Sequence, residues 1–138
     1  MTATEVELVV LEAAAQIVDD FGNHRRDAYF AGFDPDATFI FYTAEQRLES
    51  RAEYEELWSQ WEAENGFVVH GCVSANRRVR LLGDDVALFM HDVTSTIELD
   101  GEVTTVEERE TIVFAKRDDR WVAVHEHLSP VAGAHSST

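Results

Sequence analysis

The sequence predicts an α+β fold, with three helices in its N-terminal half and a meander of four long strands after them. Three observations predict it. Capping-box patterns open two runs before Gly66, at Thr4-x-x-Glu7 and Ser50-x-x-Glu53. The apolar period changes from helical to alternating after Gly66. Turn signals at Gly83-Asp84-Asp85, Asp100-Gly101 and Arg117-Asp118-Asp119 then divide the remainder into β segments.

Each element follows from its local chemistry. Behind Thr4, the residues Val6, Val10, Ala13, Ile17 and Phe21 recur at helical spacing, and Gly22 suits the position past the helix end. A short second helix is expected over His24–Ala31, stopped by Gly32 and Asp34-Pro35. Ala37–Tyr42 is a β-rich run, with Glu45–Glu49 as its expected return strand. Behind Ser50, the residues Tyr54, Leu57, Trp58 and Trp61 form one stripe, which is most simply core. The long strands are expected over Phe67–Leu82, Val86–Leu99, Glu102–Lys116 and Arg120–Leu128. Short turns join them, so neighbours are antiparallel.

The strands are apolar on both faces. In Val86–Leu99, Val86, Leu88 and Met90 lie on one side, and Ala87, Phe89, Val93, Ile97 and Leu99 on the other. Helices on one side of a sheet cover one face. The other face predicts a cover, and a second copy of the chain, giving a homodimer, is the simplest.

Composition narrows the function classes. A chain of 138 residues with 45% hydrophobic and 28% charged residues is expected to fold as one domain, over residues 1–130, with a flexible tail over 131–138. A formal charge of −16 repels phosphate backbones and argues against nucleic-acid binding. The lone Cys72 fits a reducing cytoplasm and reads as a small buried hydrophobe. No apolar run approaches membrane-spanning length, and no secretory leader is evident. No nucleophile triad, phosphate loop or dinucleotide fingerprint is present, and no cofactor is implied.

The last strand, RWVAVHEHLS, carries the chemistry. Strict alternation puts Val122, Val124, Glu126 and Leu128 on one face, and Trp121, Ala123, His125 and His127 on the other. Glu126 is the one charge in an aliphatic row. Desolvated there, its carboxyl rises in pKa and becomes a candidate general acid or base. At an open rim, or paired with an arginine, it is unremarkable. A three-residue loop after Lys116 pairs Glu110 with Glu126; a two-residue loop pairs Glu110 with His127. The first register is favoured because it joins apolar to apolar. His125 and His127 have a spacing that can serve a metal, with His70 or His91 as a third ligand; hydrogen bonding to Thr111, Ser129 or a carbonyl is the favoured reading. Asp92, beside His91, is either a cavity acid or the mark of a bulge that switches the inward face. Glu107-Glu108 and Asp84-Asp85 read as solvated strand ends.

The order of elements, with Arg109-x-Thr111 followed by Trp121-x-x-Val124-His125-x-His127-x-Ser129, resembles the nuclear transport factor 2-like superfamily. The likeness is to its SnoaL-like branch, which contains the calcium/calmodulin-dependent kinase II association domain, and runs from the first helix to Ser129. The resemblance implies a cone-shaped, curved, mixed or antiparallel sheet wrapped around three helices (a cystatin-like roll), a hollow between the two layers, and dimerisation through the outer sheet face. The association domain carries cavity arginines at the positions of Ile112 and Leu128, which are aliphatic here, so a carboxylate-binding pocket of that kind is not expected.

The resemblance also frames the expected site. Phe39 and Phe41 would line it from the first strand, Tyr54 and Trp58 from the third helix, and Ile112, Val124 and Leu128 from the last hairpin. Glu126 and Asp92 are the candidate catalytic groups, and Glu110 a candidate binding group. The expected function is a small-molecule pocket of the SnoaL-like type. It would accept a mostly apolar ligand and move a proton without a cofactor, as an isomerase, dehydratase or cyclase. A non-catalytic ligand-binding or assembly domain is the alternative.

Overall fold

A computed structural model describes residues 1–131. The expected tail therefore lies, from residue 132 onward, outside the described residues. The elements are α1 (Ala3–Gly22), α2 (Arg26–Ala31), β1 (Phe33–Phe41), α3 (Arg51–Asn65), β2 (Val68–Leu81), β3 (Val86–Leu99), β4 (Glu102–Arg117) and β5 (Arg120–Pro130). The strands form one five-stranded sheet in the order β1-β5-β4-β3-β2. The meander is antiparallel throughout, and β1 joins β5 in parallel. The sheet is thus mixed and the fold α+β, as the sequence predicts.

Capping fixes where the helices begin. The box of α1 uses Thr2 and Glu5, two residues earlier than expected: the Glu5 N–H donates to Thr2 Oγ1, and the Thr2 N–H donates to Glu5 Oε1. At α3 the Glu53 N–H donates to Ser50 Oγ, while the Glu53 carboxylate accepts from the Glu49 N–H instead of that of Ser50. Gly66 ends α3 with φ +60, a left-handed conformation that glycine adopts without strain. The expected return strand at Glu45–Glu49 reduces to a single bridge between Phe39 and Leu48.

α1 lies across β2, and its C-terminal glycine sets the approach. A Cβ on Gly22 would stand 2.9 Å from the Cys72 backbone nitrogen and 3.1 Å from Cys72 Cβ. Backbone cannot step aside as a flexible side chain can, so Gly22→Ala is expected to destabilise the fold by about 1–3 kcal/mol. Urea unfolding followed by circular dichroism checks it. His24 ties the same corner together: its Nδ1 accepts the Val69 N–H at 3.0 Å, and its Nε2 lies 2.8 Å from Glu62. This assigns the ring proton to Nε2.

Trp58, Phe33, Phe39, Phe89, Phe114 and Ile112 form the centre of the core between helices and sheet. On β3 the inward residues are odd-numbered from Ala87 to Ile97, with no change of face at Asp92. The strand passes through that point without a bulge because the irregularities lie on its neighbour β2, at Val69/Gly71 and Ala75/Arg78. Asp92 consequently faces outward, where its Oδ2 accepts a hydrogen bond from Asn76 Nδ2 at 2.7 Å. It is not a cavity acid.

The β4–β5 hairpin starts in the two-residue-loop register, not the favoured three-residue one, and leaves it further along. Arg117 faces Arg120 across a two-residue turn, with Asp118 and Asp119 at φ 51 and 62. Positive φ at both positions is the turn whose twist matches a hairpin. Pairing runs to Phe114–Ala123, then slips by one residue to Val113–His125. The extra residue is Val124. This bulge breaks the alternation, so Trp121, Ala123, Glu126 and Leu128 face inward together. His125 pairs with outward Val113, and its Nδ1 meets Thr38 Oγ1 at 2.8 Å, not Thr111 or Ser129. Among the described residues, no group of three or more His, Cys, Asp and Glu side chains is placed to hold a metal ion.

Candidate functional site

Between the helices and the inner sheet face lies a cavity of about 330 Å³. Exposed Tyr42 and Leu99 belong to its lining, which opens it to solvent at that end. Its inner wall is built by the bulged hairpin. Ile112 faces Glu126 in the register, and Glu110 faces Leu128, so the two carboxyls lie diagonally on adjacent strands. Glu126 is 4% exposed, and its Oε1 is buried without a hydrogen-bond partner.

From Glu126 a polar chain crosses the sheet. Glu110 on β4 accepts a hydrogen bond from Glu126 on β5. Its Oε1 lies 2.6 Å from His91 Nε2 on β3, and His91 Nδ1 lies 2.6 Å from Ser74 Oγ on β2. The His91 side chain is fully buried. One proton placement fits the chain from Ser74 to Glu126: Ser74 O–H donates to Nδ1, Nε2–H donates to Glu110, and a protonated Glu126 donates to the other side of Glu110, which leaves Glu126 Oε1 without a partner among the described residues. The two carboxyls shift in opposite directions. Burial drives the Glu126 carboxyl well above the usual carboxylate range, and the charge and hydrogen bond of Glu110 push it further. Burial also opposes ionisation of Glu110, but the hydrogen bonds from Glu126 and His91 outweigh it and hold Glu110 below that range.

A third carboxyl guards the opening. Tyr42 O–H donates to Glu108 Oε2 at 2.6 Å, and Glu108 is 8% exposed. Burial raises its pKa against that hydrogen bond, and the Glu110 charge adds to the rise. On the helical side the Tyr29 and Tyr54 hydroxyls meet at 3.0 Å. Burial, then the nearby Glu126, keeps both far above the ordinary phenol range, so both stay neutral. One hydroxyl donates to the other, and the acceptor keeps its own proton for another partner. Cys72 also lines the cavity, half-buried, its thiol pushed up to about 11 by burial.

The structure divides the expected site residues. Phe41, Tyr54, Leu128, Glu110 and Glu126 line the cavity. Phe39, Trp58 and Ile112 do not: they sit one layer deeper, each 0% exposed. Val124 is taken out of the wall by its bulge. Trp121 and Ala123 face the core instead of the outer surface. Glu108, expected at a solvated strand end, is a buried lining residue, and Tyr29, Tyr42 and His91 complete the polar set. Alternation on β4 carries the missed signal, because Glu108 and Glu110 share a face with Ile112 and Phe114.

A bent mixed sheet over three helices, with a hollow between, defines a nuclear transport factor 2-like domain. Comparison with known proteins agrees. A family profile described as a SnoaL-like domain matches residues 10–133, and the chain belongs to that family. Among solved structures, an assigned calcium/calmodulin-dependent protein kinase II association domain from Xanthomonas campestris is 25% identical, with 96% of this chain and 90% of that one covered at a TM-score of 0.69. The kinase hub homology domain of Chlamydomonas reinhardtii is 23% identical, with coverage of 90% and 97% and a TM-score of 0.71. A nuclear transport factor 2-like protein of unknown function from Prochlorococcus sp. NATL2A is 18% identical, with coverage of 94% of both chains and a TM-score of 0.73.

Proposed function

We propose that this SnoaL-like domain is a cytoplasmic small-molecule pocket protein that moves protons on a mostly apolar substrate without a cofactor, as an isomerase, dehydratase or cyclase does. The observation that carries the reading is the buried Glu126, with one unsatisfied oxygen at the cavity and an ionised carboxylate beside it. Such a pair offers an acid and a base at one place and at one pH. Glu126 Oε1 would take a proton from the substrate as the O–H of the same carboxyl passes to Glu110, the reverse transfer would return it, and His91 and Ser74 would continue the chain from Glu110 across the sheet. The spare Tyr29 or Tyr54 proton would polarise a substrate carbonyl.

Hydrogen–deuterium exchange at the α-carbon of an apolar ketone such as 1-tetralone, followed by NMR, tests the chemistry. The protein should accelerate exchange, and Glu126→Gln should abolish the acceleration while the fold is retained. If the unaltered protein gives no acceleration with any such ketone, proton transfer is set aside and a binding or assembly role remains.

The outer sheet face favours a second, compatible reading, self-assembly. Leu88, Met90 and Val113 are half-buried on that face, and Val73, opposite Thr94 further along it, is 67% exposed. The three helices lie on the opposite side, so this apolar surface has no cover among the described residues. The likeness to association and hub domains supports a homodimer through it. Native mass spectrometry should give twice the chain mass, and Met90→Glu should return it to the monomer.

A further inference from the structure

The charge of the cavity wall points to a class of ligand. Among the described residues its lining contains no Lys, Arg or His, while three of its members are the carboxyls of Glu108, Glu110 and Glu126. An acidic cluster alone selects nothing. Here a second feature accompanies it: Glu126 Oε1 is a buried acceptor at the cavity with no donor among the described residues. A protonated carboxyl leaves this oxygen as a carbonyl-like acceptor, so what it lacks is an N–H or O–H from outside. The remaining wall is largely apolar, aliphatic at Val93, Ile97 and Val106 and aromatic at Phe21, Trp61 and Phe67. Ring faces attract cations, and the apolar setting strengthens the attraction.

We infer that the ligand is a protonated primary or secondary amine on an aromatic or aliphatic body, its ammonium N–H directed to Glu126 Oε1 and its charge balanced by Glu110 and Glu108. The inference rests on the small-molecule pocket proposed above. It adds that the ligand carries a donor and a positive charge together. A neutral alcohol supplies the donor without the charge. A carboxylate supplies neither and meets like charge. The overall charge of −16 draws cations toward the opening in the same sense. A volume of about 330 Å³ accommodates a bicyclic amine.

Isothermal titration calorimetry at neutral pH with tryptamine, tryptophol and indole-3-acetate separates the alternatives, because the three share one ring system. Tryptamine should bind at least tenfold more tightly than tryptophol, and indole-3-acetate should not bind. Glu108→Gln should weaken tryptamine severalfold and leave tryptophol unchanged. Equal affinity for tryptamine and tryptophol, or a preference for indole-3-acetate, overturns the inference and leaves the pocket standing. An equal loss of both ligands in Glu108→Gln overturns it as well. No binding of any of the three at millimolar concentration removes inference and pocket together.

Discussion

Trp58→Ala is expected to lower the free energy of unfolding by about 3–5 kcal/mol, the range for removing a large buried aromatic side chain. Trp58 is 0% exposed. Its ring packs edge-on against Phe67 at 4.9 Å between centroids and against Phe30 at 5.5 Å, with Tyr29 at 5.5 Å and His24 at 5.2 Å on other sides. These partners come from α2, from the segment after α1 and from the residue just before β2, so the indole joins α3 to three other parts of the chain. They also hold one another: Tyr29 contacts Phe33 and Tyr54, and His24 bonds Glu62 and the Val69 backbone. A framework cross-linked in this way closes poorly over a void, which places the effect in the upper part of the range. Trp61 gives the comparison. It is half-buried at the cavity wall, and truncating it exposes a surface that solvent or ligand already reaches. Trp61→Ala should therefore cost distinctly less. Urea unfolding of both variants, monitored by circular dichroism, measures the difference. Equal losses would mean that the wall and the core are not separate layers.

That separation also marks how far the sequence could be read. Trp58 and Trp61 lie on one helical stripe, and a stripe specifies a face but not depth along the line of sight. Phe39 and Phe41 on β1 repeat the case: same face, yet Phe39 is core and Phe41 is wall. The element order was legible because the capping residues, the change of period at Gly66 and the Asp-Gly and Asp-Asp turns are local signals, each decided within a few residues. The bulge at Val124 is not local. It inserts a residue with no glycine or special dihedral to announce it, and it is decided by what must face inward on both sides: Ala123 against Phe114 near the turn, Glu126 beside Ile112 further along. Strict alternation placed Glu126 on the correct face while assigning it Val122 and Val124 as companions. Asp92 failed for a related reason. The irregularities lie on β2 and not on β3, where a bulge was expected to switch the inward face, so β3 keeps one inward set and brings His91, not Asp92, to the acids.

Glu126→Gln should make the protein more stable than the unaltered chain at neutral and alkaline pH, with the difference closing in acid. The sign follows from proton binding. Burial and the neighbouring Glu110 raise the folded-state pKa of Glu126 well above the unfolded value near 4.5. Between those two pKa values the folded chain holds a proton that the unfolded chain has released. Folding stability therefore falls as pH rises through that interval, by as much as about 1.4 kcal/mol per pH unit for one group. Above the folded pKa the penalty is complete and stays constant. Glu108 is raised as well and contributes in the same direction. Glu110 works in the opposite sense: its pKa is lowered, so its stabilisation is present above the unfolded value and is lost as pH falls through the folded one. An amide at position 126 carries no titration, and its N–H can replace the O–H as donor to Glu110, so the variant keeps the Glu110 term and loses the Glu126 penalty. Urea midpoints of the two proteins, taken at intervals from pH 4 to pH 8, should diverge as pH rises. Glu126→Leu separates charge from hydrogen bonding, because it removes the penalty but leaves one side of Glu110 without its donor. Its curve should lie below that of the Gln variant at every pH where Glu110 is ionised. Parallel curves for the Gln variant and the unaltered chain would show that Glu126 ionises alike in the folded and unfolded states, and the acid at the centre of the proposed proton chain would be an ordinary carboxylate.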